Sequence, residues 1–252
     1  MFTGLSSLAV TVTAVPASWA SAVDVTASSK DKNDSDLQQG VPGRRVGGGT
    51  RGDQIFANAD ATLAALVTSS NLSVTTSAYP TLLFYVPEMV AANSVEFVLR
   101  DSRDELIYET TFQLSQAGGL VSVQTDESIM PPLALNENYQ WYFSIVPDAA
   151  DRANDVVVEG RIRRVDQSDW LAQQQVAASV HDQLAIAPPL TKARLLYQQA
   201  NMWHDAALIL EELRQREPNN PAIAAEWNQL LDSVGLSSIL QDYPSPIQIG
   251  LN

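Results

Sequence analysis

"YPTLLFYVP" occupies positions 79–87. Between its two prolines the chain is apolar at every position but the first, on both alternations. Successive side chains of a strand point to opposite faces, so such a stretch reads as a buried strand, ended by Pro87.

Working outward, the neighbouring segments have strand periodicity of a simpler kind. "SVEFVLR" (94–100) places Val95, Phe97 and Leu99 on one face. "ELIYETTFQL" (105–114) does the same with Leu106, Tyr108, Thr110 and Phe112, and "DSRDE" between them supplies a hairpin turn. "GLVSVQT" (119–125) follows a Gly-Gly turn. "YQWYFSIV" (139–146) puts Tyr139, Trp141, Phe143 and Ile145 together, and "DVVVEGRIRRV" (155–165) is a further strand with a bend expected at Gly160. No helical pattern separates these segments, so they imply an antiparallel β-sandwich of six to seven strands. "DATLAALV" (60–67) is expected to be a short helix capped by Asp60.

From Ser168 the period changes. "SDWLAQQQVAASVHDQLAIA" reads as one helix with Ser168 as its N-cap, and three more follow over 190–200, 203–217 and 220–234. The expected class is therefore α+β: a glycine-rich entry and antiparallel β-sandwich over 40–166, then a helical hairpin array over 167–236 and a tail over 237–252. The helical part resembles a single tetratricopeptide hairpin, whose spacing is met by Tyr197, Ala206, Leu210 and Pro218. Arg194 departs from it, standing where the repeat prefers a small residue for close packing.

The chain has 252 residues, a net charge of −14, no cysteine and two histidines. The acidic excess disfavours nucleic acid, whose phosphates must be met by clustered Lys and Arg. The absence of cysteine removes thiolate metal sites and thiol nucleophiles. Residues 1–22 carry an uncharged apolar run and then Ala20-Ser21-Ala22, a signal-peptide pattern with cleavage expected after Ala22. Residues 23–39 are polar and read as a linker. These features place the mature chain in the periplasm or outside the cell, with no transmembrane helix.

"GVPGRRVGGGTRG" (40–52) holds six of the twelve glycines of the chain. It grazes two phosphate motifs and satisfies neither. Gly47, Gly49 and Gly52 have the dinucleotide spacing without the strand that must precede it, and Gly49 stands where a P-loop needs lysine. Gly43, Arg44, Arg45, Gly47, Gly48, Gly49, Arg51 and Gly52 are accordingly read as a structural motif, with at least one of Arg44, Arg45 and Arg51 expected to contact an Asp or Glu of the sandwich. Asp148, Asp151, Asn154 and Asp155 are candidate calcium ligands, but lack EF-hand spacing and its closing glutamate, so no metal is assigned. Catalytic residues and cofactors are likewise not assigned.

Taken together, "GVPGRRVGGGTRG" (40–52), "YPTLLFYVPE" (79–88), "VEFVLRD" (95–101), "YETTF" (108–112), "YQWYFSIV" (139–146), "DRANDVVVEGRIRRV" (151–165) and "SVGL" (233–236) resemble the cyanobacterial family called domain of unknown function 928. That resemblance implies source and architecture without an activity. Two functions follow as expectations. One is a non-catalytic envelope protein acting on another envelope or surface protein. The other is a periplasmic module for a glycan or small ligand, binding or hydrolytic, with an aromatic cleft near Trp141 or Tyr85.

Overall fold

The computed structural model describes residues 44–47, 55–58, 60–91 and 93–240. Nine strands are formed among them: β1 (Val46–Gly47), β2 (Leu63–Ala65), β3 (Leu72–Thr75), β4 (Thr81–Val86), β5 (Asn93–Arg100), β6 (Leu106–Leu114), β7 (Gly119–Gln124), β8 (Asn138–Val146) and β9 (Val156–Arg164). They build a four-stranded sheet, β1-β2-β4-β7, and a five-stranded sheet, β3-β9-β8-β5-β6. All pairings are antiparallel except β3 with β9, which run parallel from Leu72↔Arg161 to Thr75↔Arg164. The α+β class expected from the sequence is thus observed, with three short strands, β1 to β3, added to the expected set.

The doubly apolar stretch at 79–87 has a specific cause. In β4, Leu82, Phe84 and Val86 face the core between the two sheets, while Leu83 and Tyr85 face a second core shared with the helices. The four-stranded sheet is therefore the middle of three layers, covered on both sides. By contrast, β5 and β8 alternate because the five-stranded sheet has one covered face: Val95, Phe97, Leu99, Trp141 and Phe143 are fully enclosed, while Glu96, Arg100 and Tyr142 on the other face are only half-buried.

The same layering corrects the reading of 60–67. The segment is not a helix; it contains β2, paired with β4 through Ala64↔Tyr85 and Ala65↔Phe84. Leu63, Ala65 and Val67 enter the inter-sheet core and Ala64 and Leu66 the helical core. Five consecutive buried residues with period-2 partition fit a middle-layer strand, and helix propensity yields to that burial. At Gly160 the β8–β9 register runs without a shift from Asn138↔Arg163 to Ile145↔Val156, so no bulge interrupts the ladder at the glycine. The residue leaves room for the Trp141 indole, which lies against the space a Cβ would take.

The helical part comprises α1 (Gln167–Gln173), α2 (Ala178–Ile186), α3 (Pro189–Gln199), α4 (Trp203–Arg216), α5 (Pro221–Asp232) and the short α6 (Ser237–Leu240). The segment expected to form one helix from Ser168 is two. Asp166, not Ser168, is the N-cap, accepting from the Ser168 and Asp169 amides at 2.8 and 3.1 Å. Gln175 adopts φ 56°, and the Val176 and Gln175 amides donate back to Leu171 and Ala172, closing α1 in a Schellman turn. This turn lets Trp170 and Leu171 of α1 and Val180 and Leu184 of α2 reach the same core. Gly235, at φ 68°, ends α5 in the same manner, with Leu236 donating to Leu231.

Candidate functional site

The arginine–glycine motif is seen through Arg44–Gly47; Gly43, Gly48, Gly49, Arg51 and Gly52 lie outside the described residues, as do 1–22, 23–39 and the chain after Leu240. The visible part is a stitch between layers. The Arg44 carbonyl accepts from Glu159 of β9 at 2.9 Å, and the Arg45 carbonyl accepts from Ala65 of β2 at 2.8 Å. The chain at β1 thus touches both sheets along one side of the sandwich. A Cβ on Gly47 would sit 3.1 Å from Val156 Cγ1 and 3.2 Å from the Val157 carbonyl, so a larger residue would require β9 to give by a few tenths of an ångström.

Arg45 donates to two backbone carbonyls, Val67 at 3.1 Å and Val234 at 2.9 Å, while Arg51, on which the expected carboxylate contact can equally fall, lies outside the described residues. The second carbonyl lies just past the C-terminal end of α5, where carbonyls lack helical partners and carry partial negative charge. Burial lowers the Arg45 pKa. Arg45 therefore ties sandwich to helices.

Trp141 and Tyr85, the two aromatics around which a cleft was expected, are enclosed at 0% and 6% exposure. Phe84 stacks on Phe143 at 4.1 Å and meets Trp141 edge-on at 5.5 Å, joining the sheets through aromatic contacts. The indole Nε1 of Trp141 has no hydrogen-bond partner.

The acidic loop between β8 and β9 engages several of its oxygens internally, while Asp155 Oδ1 is buried without a hydrogen-bond partner. Asp148 Oδ1 accepts from the Ala150 amide at 2.8 Å. Asp151 caps a 3-10 turn at Arg152–Asn154, and Asp155 Oδ2 pairs with Arg152 Nε at 2.6 Å. Arg152 reaches on to Glu96 of β5 at 3.2 Å. Among the described residues no three His, Cys, Asp or Glu side chains are grouped to hold a metal.

In the helices, Ala206 and Leu210 of α4 are fully buried, Tyr197 of α3 is half-buried, and Pro218 lies just past the end of α4. Arg194, the residue at odds with the repeat, has its own partner: it pairs with Glu226 of α5, which also accepts from the Tyr197 hydroxyl at 2.8 Å. Burial pushes the Glu226 pKa up, and these two donors outweigh it, bringing the carboxyl below its ordinary value. A second cluster behaves oppositely. Glu211 is held high by burial despite Arg214 at 3.1 Å, and Arg214 lies 4.5 Å from the Trp227 ring centroid. His204 is buried, which lowers its pKa against the opposing influence of Asp205 and a hydrogen bond to the Thr81 backbone. Asp205 joins α4 to the loop after β3 by accepting from the Thr76 amide and hydroxyl at 3.0 and 2.9 Å. These side chains serve packing and interlayer contact.

An open depression of about 590 Å³ is lined by Ser77, Tyr79, Gln124, Thr125, Asp126 and Glu127. It forms where β4 begins and β7 ends. Thr125 donates to the Pro80 carbonyl and Leu133 to that of Ala78, holding the loops together. The sequence carries no motif for this feature, because its residues come from two loops 45 or more positions apart.

Residues 46–243 match the family model for a Domain of Unknown Function (DUF928). The chain belongs to this family. No curated protein matches this DUF928 chain. Among solved structures, it has slight likeness to the β-glucuronidases of Parabacteroides merdae, crystallised with glycerol in its active site, and Bacteroides uniformis. Identities are 12% and 10%, with TM-scores of 0.21 and 0.22. In each case 43% of this chain and 12% of the other is covered, and a likeness of that size carries no argument.

Proposed function

We propose that this DUF928 protein is a non-catalytic, exported cyanobacterial envelope protein that works by contact with another envelope or surface protein. The observation that carries this reading is how the aromatic side chains are used. Trp141, Phe84, Phe97 and Phe143 are all under 2% exposed and fill the space between the sheets. The surface, and not an internal cleft, is left for recognition. The signal-peptide pattern of 1–22 supports export, and the tetratricopeptide-like spacing of Tyr197, Ala206, Leu210 and Pro218 suits a helical contact module. The test is in-cell cross-linking in a cyanobacterial host, followed by N-terminal sequencing. Expected are a mature chain beginning at Val23 and one reproducible envelope partner. An intact Met1 without any adduct, together with thermal stabilisation by oligosaccharides, refutes the reading.

The depression beside Tyr79 favours the second reading, a periplasmic glycan- or small-ligand-binding module, because it combines an aromatic ring with carboxylates and an amide. Oligosaccharide stabilisation lost in a Tyr79 variant supports that reading.

A further inference from the structure

Three consecutive side chains in the first turn of α4 hold three different neighbours. Trp203 Nε1 donates to the Leu230 carbonyl of α5 at 3.1 Å. His204 hydrogen-bonds the backbone of Thr81, where β4 begins. Asp205 Oδ2 accepts from the Thr76 amide at 3.0 Å and from the Thr76 hydroxyl at 2.9 Å. This turn is therefore the clasp between the helices and the loop that joins β3 to β4.

His204 is the member of the clasp that can change charge between about pH 5 and 8. It is 3% exposed, and its Nε2 has no hydrogen-bond partner. That leaves Nδ1 for the bond to Thr81, so an added proton goes to Nε2, where no acceptor meets it. The surroundings oppose the charge as well. The imidazole sits at the N-terminal end of α4, where no side chain caps the first amides and these carry partial positive charge. Of the elements packed on α4, β3 brings no titratable side chain, α3 brings Lys192, Arg194 and Tyr197, and α5 brings Glu226 and Asp232. The β3–β4 loop and β4 bring Tyr79 and Tyr85, and further along α4 Glu211 pairs with Arg214. Among the described residues Asp205 is the charged group that acts on the imidazole, and its carboxylate is committed to Thr76.

Release of the clasp needs little of the fold to move. Thr76 is exposed and the loop after it is half-buried, whereas the two apolar cores on either side hold no group that titrates in this range. Local opening of such a segment costs less than global unfolding.

We propose that the first turn of α4 is an acid-released clasp: below neutral pH His204 takes up a proton, turns out of the seam toward Thr76, and frees the 76–81 segment from α4 while both cores stay folded. The inference goes beyond the envelope-contact reading and does not depend on it. It gives the chain a built-in response to acidic surroundings.

The test follows the full chain by NMR and amide hydrogen exchange from about pH 8 to about pH 5, where Asp205 stays ionised. The chain has two histidines, so His181→Gln leaves His204 as the single imidazole signal. That signal is expected to titrate below the ordinary value of about 6.5. The protection factor of the Thr76 amide is expected to fall by up to about tenfold per pH unit below that value, while the Phe97 and Phe143 amides of β5 and β8 keep theirs. His204→Asn retains a donor for Thr81 and cannot take up a proton, so its Thr76 protection is expected to stay within about twofold over the same range. Titration of His204 at or above the ordinary value overturns the proposal, as does Thr76 protection that holds down to about pH 5. Loss of protection at Phe97 and Phe143 in step with Thr76 also overturns it, because the whole fold is then opening. An unchanged pH response in His204→Asn does the same, and the wild-type titration decides the matter whether or not that variant folds.

Discussion

Replacing Gly160 by alanine tests the packing of the sandwich at its tightest point. Gly160 of β9 lies directly opposite Trp141 of β8, and the indole covers its bare Cα. A Cβ at Gly160 would come within 2.7 Å of Asn71 Oδ1 and 2.9 Å of Trp141 Cε2, and closer still to Cζ2. Ordinary contact needs about 3.5 Å, so the ring must retreat by roughly 1 Å. It has no free space to enter: Trp141 is 0% exposed and meets Phe84 edge-on at 5.5 Å. Overpacking of this kind costs about 1–3 kcal/mol, whereas Gly→Ala gains at most about 1 kcal/mol from restricting the unfolded chain. The overpacking wins, and a net loss of about 1–2 kcal/mol lowers Tm by roughly 2–8 °C for a domain of this size. Urea titration and thermal melts, followed by near-ultraviolet circular dichroism of the tryptophans, measure it. Trp141→Phe removes the clashing ring, so the double variant should lose at least about 0.5 kcal/mol less than the sum of the single losses, on the order expected for touching residues. Wild-type stability in Gly160→Ala, or strict additivity in the cycle, would refute the reasoning.

Three further outcomes concern the interlayer contacts and the buried titratable groups. Arg45→Ala leaves the Val67 and Val234 carbonyls without their charged donor. It should cost about 1.5–3 kcal/mol, read by denaturation, with faster amide exchange near the end of α5. Because burial holds the His204 pKa below its ordinary 6.5, the neutral form is favoured on folding. That stability is complete above about pH 6.5 and declines as pH falls toward the folded pKa, by at most about 1.4 kcal/mol per pH unit, and His204→Gln should flatten the slope. Glu226, lowered by Arg194 and Tyr197 against burial, contributes stability present above its unfolded pKa and lost as pH falls through the folded one. Glu226→Gln should therefore remove part of the acid sensitivity below about pH 4.5, while Glu211→Gln, at a carboxyl raised by burial, should change the slope in the opposite sense.

The class of this protein was legible in its residues alone. Val95, Phe97 and Leu99, and Tyr139, Trp141, Phe143 and Ile145, alternate with less buried residues because one face of their sheet meets water, and that period shows without any partner in view. The helices over 190–234 were equally legible, since their apolar positions recur at helical spacing and Pro218 and Gly235 mark two of their ends. Tertiary structure decided the rest. The segment at 60–67 carries apolar residues at every strand position, and only the sheet on one side and α-helices on the other explain why it is extended. Arg45 has no local partner, so its hydrogen bonds to Val67 and Val234, the latter 189 positions away, could not be read from spacing. The depression at Tyr79 arises because β4 and β7 are neighbours, which brings 77–79 beside 124–127. Periodicity records how many faces of a segment are covered; which segment covers each face is a property of the folded chain alone.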